Sequence, residues 1–363
     1  MMAMAPEPPS HAAFLLPNVG GGGAERLTID LMAGFVARGA RVDLVVQRPG
    51  GEFRHLVPPD VRIFDLDAPR LRDVAIPLRR YLKRERPGAL LAAMWPLTSV
   101  AVVAGAGLPT RIAVSDHCAL RQQYAGQPGT LAALRLSMAA TYRFANAVIA
   151  VSSGVADEVA SLAGLDRARV STIFNPIPLP LRSGLAPDAR WQDAPRPRIL
   201  AMGTLKGQKN HALLIEAFAR LGQSGTLAIV GVGELRGALE AQIARLGLGG
   251  RVLLPGFTAT PGDWYAGADL FALSSDYEGF GNVLVEAMHF GLPVVATDCP
   301  SGPAEVLGNG RWGRLVPPGD AGRLADAMRA ALTARGDPEA QRARAAEYSV
   351  DRAVRAYADL VLR

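Results

Sequence analysis

Residues 276–291 read DYEGFGNVLVEAMHFG and set two glutamates, Glu278 and Glu286, eight positions apart around Gly279, Phe280 and Gly281. The pattern predicts a helix starting near Gly281 or Asn282. Such a start presents unpaired backbone N–H groups and the positive end of a dipole, and glycine lets a ligand approach them closely. Glu286 then lies about one turn into the helix, roughly 6 Å along its axis, while Glu278 stands in the loop ahead of it. Two acceptors flanking an anion-binding helix start suit a ligand with hydroxyls at each end and phosphates between. Charge stabilisation of the helix start would also explain either carboxylate, so the spacing alone leaves both readings open.

Other segments bear on the choice. The chain has 39 lysines and arginines, only three of them lysines, and two of those, Lys206 and Lys209, lie three apart in GTLKGQKN directly after an apolar run. A compact ammonium there suits a phosphate oxygen; a solvated surface is the alternative. NVGGGGAERL puts four glycines between a strand and a helix, which fits either close approach of backbone to phosphate or a plain turn. It lacks the GxGxxG order, and GVGELRG at 231–237 matches that only loosely, which disfavours a nicotinamide enzyme. His117, in VSDHCAL, ends an apolar strand; a lone histidine is more often structural than catalytic. The DLD at 65–67 resembles a metal-binding pair but closes a strand, so it reads as structural and no essential metal is expected. Taken together, the segments suit a nucleotide diphosphate sugar, with one acidic residue on ribose hydroxyls as in dinucleotide sites.

The elements that must hold these residues alternate. Apolar runs stand at 12–17, 41–46, 61–66, 89–94, 111–116 and 147–152, the first and the last three of them followed by helical periodicity, the signature of a parallel doubly wound sheet. Residues 175–197 lose all periodicity to proline and polar residues and read as a linker. The alternation then restarts at 198–203, 226–231, 251–257, 269–274 and 293–298. The fold class is therefore α/β, two Rossmann-like doubly wound parallel-sheet domains facing a cleft, with ligands at the carboxyl ends of the strands. Residues 1–178 form the first domain and 179–348 the second, and the helix within 349–363 is expected to pack back on the first.

Composition sets the outer bounds. With 363 residues, 49% apolar and 20% charged, the chain is an ordered globular protein long enough for two cores. Net charge is +6, concentrated in the first half, where Arg70, Arg72, Arg79, Arg80, Lys83, Arg84 and Arg86 crowd together. That run is read either as a solvated helix face or as a contact for an anionic membrane or phosphorylated acceptor. No aromatic-rich nucleic-acid signature accompanies it, and no nucleic-acid partner is expected. Two distant cysteines, Cys118 and Cys299, indicate a reducing compartment. The first sixteen residues lack the basic region of a secretory signal. The uncharged stretch 89–108 is broken by Pro96 and two glycines, so strand, turn and helix is the better reading than a membrane span.

Over nearly its whole length the chain resembles the retaining glycosyltransferases of family 4, which have the two-domain GT-B architecture. The resemblance rests on GGGAERL, the strand-end His117, SSGVADEV, NPIP, GTLKGQKN, GVGELR, SSDYEGFGNVLVEAMHFGLPVVATD, CPSGPAEVL and GRLVPPGD, in that order. It implies that Glu278 binds donor-sugar hydroxyls near the reacting carbon, with the backbone of Gly279, Phe280, Gly281 and Asn282 on sugar and phosphate. Glu286 would take the ribose hydroxyls and Lys209 the diphosphate, which Gly22 and Gly23 would approach from the other domain. His117 would line the sugar site. Where the family has a cation this chain has Thr204, and Lys206 could supply the missing charge. The implied reaction is metal-independent transfer of a hexose or N-acetylhexosamine, from a UDP-sugar rather than a GDP-sugar, to a cell-envelope glycan or lipid-linked sugar acceptor. It would take place in the cytoplasm or peripherally on the inner membrane face. A 2-epimerase-like enzyme and a non-catalytic nucleotide-sugar-binding subunit are the alternatives.

Overall fold

The computed structural model describes residues 11–20, 22–178, 185–186, 188–222 and 224–362. The chain divides into two units, the first comprising the residues up to Pro178 together with those from Ser349 onward, the second Leu179–Tyr348. In the first unit seven strands form one sheet: β1 (His11–Leu16), β2 (Arg41–Val46), β3 (Arg62–Asp65), β4 (Ala89–Ala93), β5 (Arg111–Asp116), β6 (Ala147–Ala150) and β7 (Val170–Thr172). Their order is β3-β2-β1-β4-β5-β6-β7, parallel throughout. The second unit holds β8 (Arg198–Met202), β9 (Thr226–Val230), β10 (Val252–Gly256), β11 (Leu270–Leu273), β12 (Val294–Thr297) and β13 (Arg314–Val316). These run parallel in the order β10-β9-β8-β11-β12-β13.

Each sheet is Rossmann-like, parallel and doubly wound, as the alternation of apolar runs and helices predicts. The central strands β1, β4, β8, β9, β11 and β12 are buried along their whole length, because helices cover both faces of a parallel sheet. The edge strands β7 and β13 carry no signal in the sequence: three residues each are too few for a period. The uncharged stretch resolves into β4, a turn and the helix Leu97–Gly105. Among the described residues no helix is long and apolar enough to cross a membrane.

The linker expected over 175–197 is shorter than that. From Asp188 onward the segment belongs to the second unit: Asp188 caps the helix Ala189–Gln192, and Trp191 is fully buried beside Trp264, donating its indole N–H to the Trp264 carbonyl at 3.0 Å. A buried tryptophan anchors what composition alone reads as loose chain. Of the expected linker, residues 179–184 and 187 lie outside the described residues.

The helix Val350–Leu362 joins the first unit. Its apolar positions, Val350, Ala353, Val354, Tyr357 and Val361, recur at helical spacing and enter the core that contains Phe14, Leu31 and Phe35. It crosses the helix Gly23–Ala37 at Gly34, where a Cβ would lie 2.3 Å from Val354 Cγ2. That distance is too short for a stiff β-branched neighbour to absorb. Alanine at Gly34 would gain up to about 1 kcal/mol of helix propensity, but overpacking costs about 1–3 kcal/mol. Gly34→Ala is therefore expected to lower the urea unfolding midpoint, and a double-mutant cycle with Val354→Ala to show that the penalty is relieved once the valine is gone. Additive effects of the two changes would refute the contact.

Candidate active site

In the second unit the strand order reverses at β8, which pairs with β9 on one side and β11 on the other. A crevice opens at such a point beyond the carboxyl ends of the strands. Two of the segments singled out from sequence meet there, because GTLKGQKN is the loop after β8 and SSDYEGFG the loop after β11. They are sewn together by hydrogen bonds. Asp276 N–H donates to the Gln208 carbonyl at 2.9 Å, Gln208 Nε2 to the Tyr277 carbonyl at 2.9 Å, Asn210 Nδ2 to Asp276 Oδ1 at 2.9 Å, and Ser274 Oγ to the Lys209 carbonyl at 2.9 Å. The loop after β9 braces the assembly from behind, with Leu205 N–H on the Val232 carbonyl and Leu235 N–H on the Leu205 carbonyl.

At the centre of this stitching Lys209 Nζ lies 2.6 Å from Glu278 Oε1, which also accepts the Ser275 hydroxyl at 2.6 Å. The two charged side chains are only 14% and 7% exposed. Burial of this kind makes the pair strong in Coulomb terms and expensive to break, since either partner alone would be an uncompensated buried charge. The ammonium has three donors, so pairing with Glu278 leaves it able to serve phosphate oxygens as well. On the carboxylate, Oε1 carries both contacts; Oε2 has no hydrogen-bond partner among the described residues. Lys206 is exposed on the same loop, outside this ion pair.

The helix after the loop is Asn282–His289, with Gly281 at its cap in the left-handed region (φ 94°) and no side chain capping it. Its first-turn N–H groups therefore point from the end next to Glu278. Phe280 does not present its ring to a ligand: the side chain is buried, edge to face with Tyr348 at 5.3 Å. Only its backbone remains for the role suggested by sequence. Gly302 fixes that backbone from behind, since at φ 69° a Cβ there would stand 2.1 Å from the Phe280 carbonyl oxygen. Glu286 sits in the second turn, half-buried, accepting the Tyr265 hydroxyl at 2.8 Å, and Tyr265 is in turn stacked on Phe290.

The remaining candidates lie in the first unit. Gly22 caps the helix Gly23–Ala37; the Glu25 carboxylate folds back so closely that a Cβ on Gly22 would meet Oε2 at 2.3 Å. Burial raises the pKa of Glu25. The expectation of a bare glycine start is thus modified: an acidic group of the chain itself covers Gly22, while around Gly23 there is open space. His117 follows β5 with Nε2 3.0 Å from Ser115 Oγ, and burial pushes its pKa down to about 4, so the ring is neutral at pH 7. Beside it Asp116 is fully enclosed and accepts the Tyr142 hydroxyl at 2.9 Å; burial lifts that carboxyl to about 7 against the lowering effect of the hydrogen bond. The DLD is a local turn in which Asp65 Oδ1 accepts the Asp67 N–H, and among the described residues no three metal-ligating side chains cluster.

Comparison with known proteins places this geometry. Residues 21–180 match the model for Glycosyltransferase Family 4, and residues 196–334 the model for Glycosyl transferases group 1. The chain belongs to the family 4 glycosyltransferases. The lipopolysaccharide core biosynthesis glycosyltransferase LpsE of Rhizobium meliloti is 29% identical over 85% of this chain and 84% of its own. A second family relative, the N-acetylgalactosamine-N,N'-diacetylbacillosaminyl-diphospho-undecaprenol 4-alpha-N-acetylgalactosaminyltransferase of Campylobacter jejuni, is 45% identical, over only 32% of each chain. Among solved structures, HepE of Anabaena, crystallised in complex with UDP, superposes with a TM-score of 0.74 over 97% of this chain and 95% of its own, at 24% identity.

Several residues of the site escape a reading of the sequence. Ser275 was detectable as a hydroxyl three positions before Glu278; Tyr265, 21 positions before Glu286, had no signal. His211, beside Lys209, is buried with neither ring nitrogen in a well-formed hydrogen bond. Its pKa falls to about 4 through burial and then the Lys209 charge. The basic stretch also sorts itself. Arg79 donates to the carbonyls of Ala104 and Ala106, and Arg84 pairs with Glu85. Arg80 and Lys83 instead flank a 220 Å³ groove floored by Ile76 and Val103, which are 65% and 58% exposed.

His117 and His211 are held neutral in the folded chain at pH values where the unfolded chain protonates them. Their stabilisation is complete above about pH 6.5 and is lost as the pH falls toward 4, by up to about 3 kcal/mol each. The buried carboxyls Asp116 and Asp30, lifted to about 7 and about 6, act in the opposite sense over the same range, so the check is a difference between chains. In urea titrations at pH 7.5 and 5.0, His211→Leu, which gives up no well-formed hydrogen bond, should be stabilised at pH 5.0 relative to pH 7.5 when compared with the native chain. An acid sensitivity unchanged by that substitution would contradict the assignment.

Proposed function

We propose that the chain transfers a hexose or N-acetylhexosamine from a UDP-sugar to a glycan or lipid-linked acceptor of the cell envelope, with retention of configuration and without an essential metal. The observation that carries this is the buried Lys209–Glu278 pair at the reversal point of the second sheet, next to an uncapped helix start. One face of that arrangement is cationic and the other anionic, as a phosphate joined to a sugar requires. Lys209, with Lys206 and the N–H groups of the helix start, neutralises the leaving diphosphate, which is the task a metal performs elsewhere. Glu278 offers Oε2 to sugar hydroxyls and its charge to the positive character that develops at the reacting carbon. It is a poor candidate for a nucleophile, because an ammonium and a hydroxyl already hold its other oxygen. The acceptor hydroxyl attacks from the side of the leaving group and gives its proton to a phosphate oxygen. Glu286, steadied by Tyr265, takes the ribose.

The comparisons support the finer points by analogy. LpsE acts in lipopolysaccharide core biosynthesis, and the name of the Campylobacter enzyme specifies a diphospho-undecaprenol acceptor and an α linkage. From an α-linked nucleotide sugar, an α product means retention. HepE supports a uridine nucleotide. An acceptor anchored in a membrane also gives the Ile76 and Val103 groove a use, as a peripheral contact on an anionic inner membrane face, with Arg80 and Lys83 at the headgroups.

A donor screen that reads nucleotide diphosphate release, with and without lipid-linked sugar acceptors and with chelator present, tests the reading. Release should need an acceptor and be indifferent to chelation; release without any acceptor would favour a 2-epimerase-like enzyme, and nucleotide binding without turnover a non-catalytic subunit. Glu278→Gln should cut kcat by more than about a hundredfold in a protein whose circular dichroism spectrum is native. Normal turnover in that variant would refute the assignment. Separately, the chain should co-sediment with vesicles rich in anionic phospholipid several-fold better than with neutral ones, and Arg80→Glu with Lys83→Glu should abolish the difference. Binding independent of lipid charge would dispose of the membrane contact.

A further inference from the structure

Three side chains of the first unit form a hydrogen-bonded line. Tyr357, on the helix Val350–Leu362, has its hydroxyl 3.3 Å from Ser115 Oγ on β5, and Ser115 Oγ lies 3.0 Å from His117 Nε2. Ser115 lies on β5, and His117 directly follows the last residue of that strand, Asp116. Tyr357 and Ser115 are 1% and 0% exposed. His117 Nδ1, at the far end, is buried and has no protein partner among the described residues.

Counting protons decides which way the line runs. The buried phenol keeps its proton, since burial lifts its pKa to about 12, and Ser115 Oγ is the acceptor within its reach. If Tyr357 donates to Ser115, the serine donates to Nε2, and the neutral imidazole carries its hydrogen on Nδ1. One donor, Nδ1–H, is then unmatched by protein. In the reverse direction Nε2–H donates to Ser115 and Ser115 to Tyr357. Both the phenol hydrogen and the Nδ1 lone pair then go unmatched. A buried group left without its hydrogen bond is costly, so one orphan is favoured over two.

We propose that Tyr357 and Ser115 are positioning residues that fix His117 in the Nδ1–H tautomer, so that it presents a neutral N–H to a hydroxyl oxygen of the sugar substrate. This rests on the glycosyltransferase reading of His117 given above. It makes the histidine a hydrogen-bond donor and not a base, and it places a determinant of the reaction on the helix Val350–Leu362, 242 residues from its serine partner.

The test is to label histidine with 15N and read the ring-nitrogen shifts of His117 at pH 7.5, assigned with His117→Gln. The native chain should show a protonated Nδ1 and an unprotonated Nε2. Tyr357→Phe, which removes one oxygen and keeps the ring, should shift the population toward Nε2–H, and Ser115→Ala should do the same. Each should lower kcat about tenfold while donor KM stays within about twofold. An Nε2–H tautomer in the native chain, or a tautomer indifferent to Tyr357→Phe, would overturn the relay. Full turnover in His117→Gln would instead remove the catalytic reading on which it rests.

Discussion

The second unit depends on one buried ion pair. Lys209 and Glu278 come from loops 69 residues apart, and each is enclosed enough that it could not be tolerated charged without the other. The backbone and side-chain hydrogen bonds among Gln208, Asn210, Ser274, Asp276 and Tyr277 follow from the need to hold that pair in register. A lone surface salt bridge would contribute almost nothing. Here the same two charges dictate how two loops close over a sheet end, and so where a helix start points.

Sheet topology explains why these loops meet. β8 and β11 are neighbours although two strands separate them along the chain, and only at such a reversal do two strand-to-helix loops leave in diverging directions. Glycines occur where a neighbour leaves no room for a Cβ: Gly302 admits the Phe280 carbonyl, and Gly34 admits the Val354 side chain. Elsewhere the strands are apolar runs whose identity matters less than their volume.

Much of this was legible. The alternation of buried strands and helices, the rarity of lysine against arginine, and the glutamate spacing pointed to the fold class and to the two loops. What could not be read was partnership. That Lys209 pairs with Glu278, that Glu286 takes the Tyr265 hydroxyl, and that Glu25 folds over Gly22 depend on which strands are adjacent and on side-chain rotamers, neither of which has a periodic signal. Trp191 is the opposite case: a single large side chain amid prolines, whose burial outweighs the composition around it. The buried ring of Phe280 shows the limit from the other side, since motif position marks a segment without saying which of its atoms are exposed.

The return of the helix Val350–Leu362 to the first unit bears on how the chain is made. Residues 179–348 form the second unit from one uninterrupted stretch and can consolidate as soon as they leave the ribosome. The first unit begins earlier and finishes later, because Phe14, Leu31 and Phe35 wait for Val354, Tyr357 and Val361 to cover them. Throughout synthesis of the intervening stretch, at about 5–20 residues per second, the nascent protein carries an open apolar flank, a natural place for a chaperone to hold on.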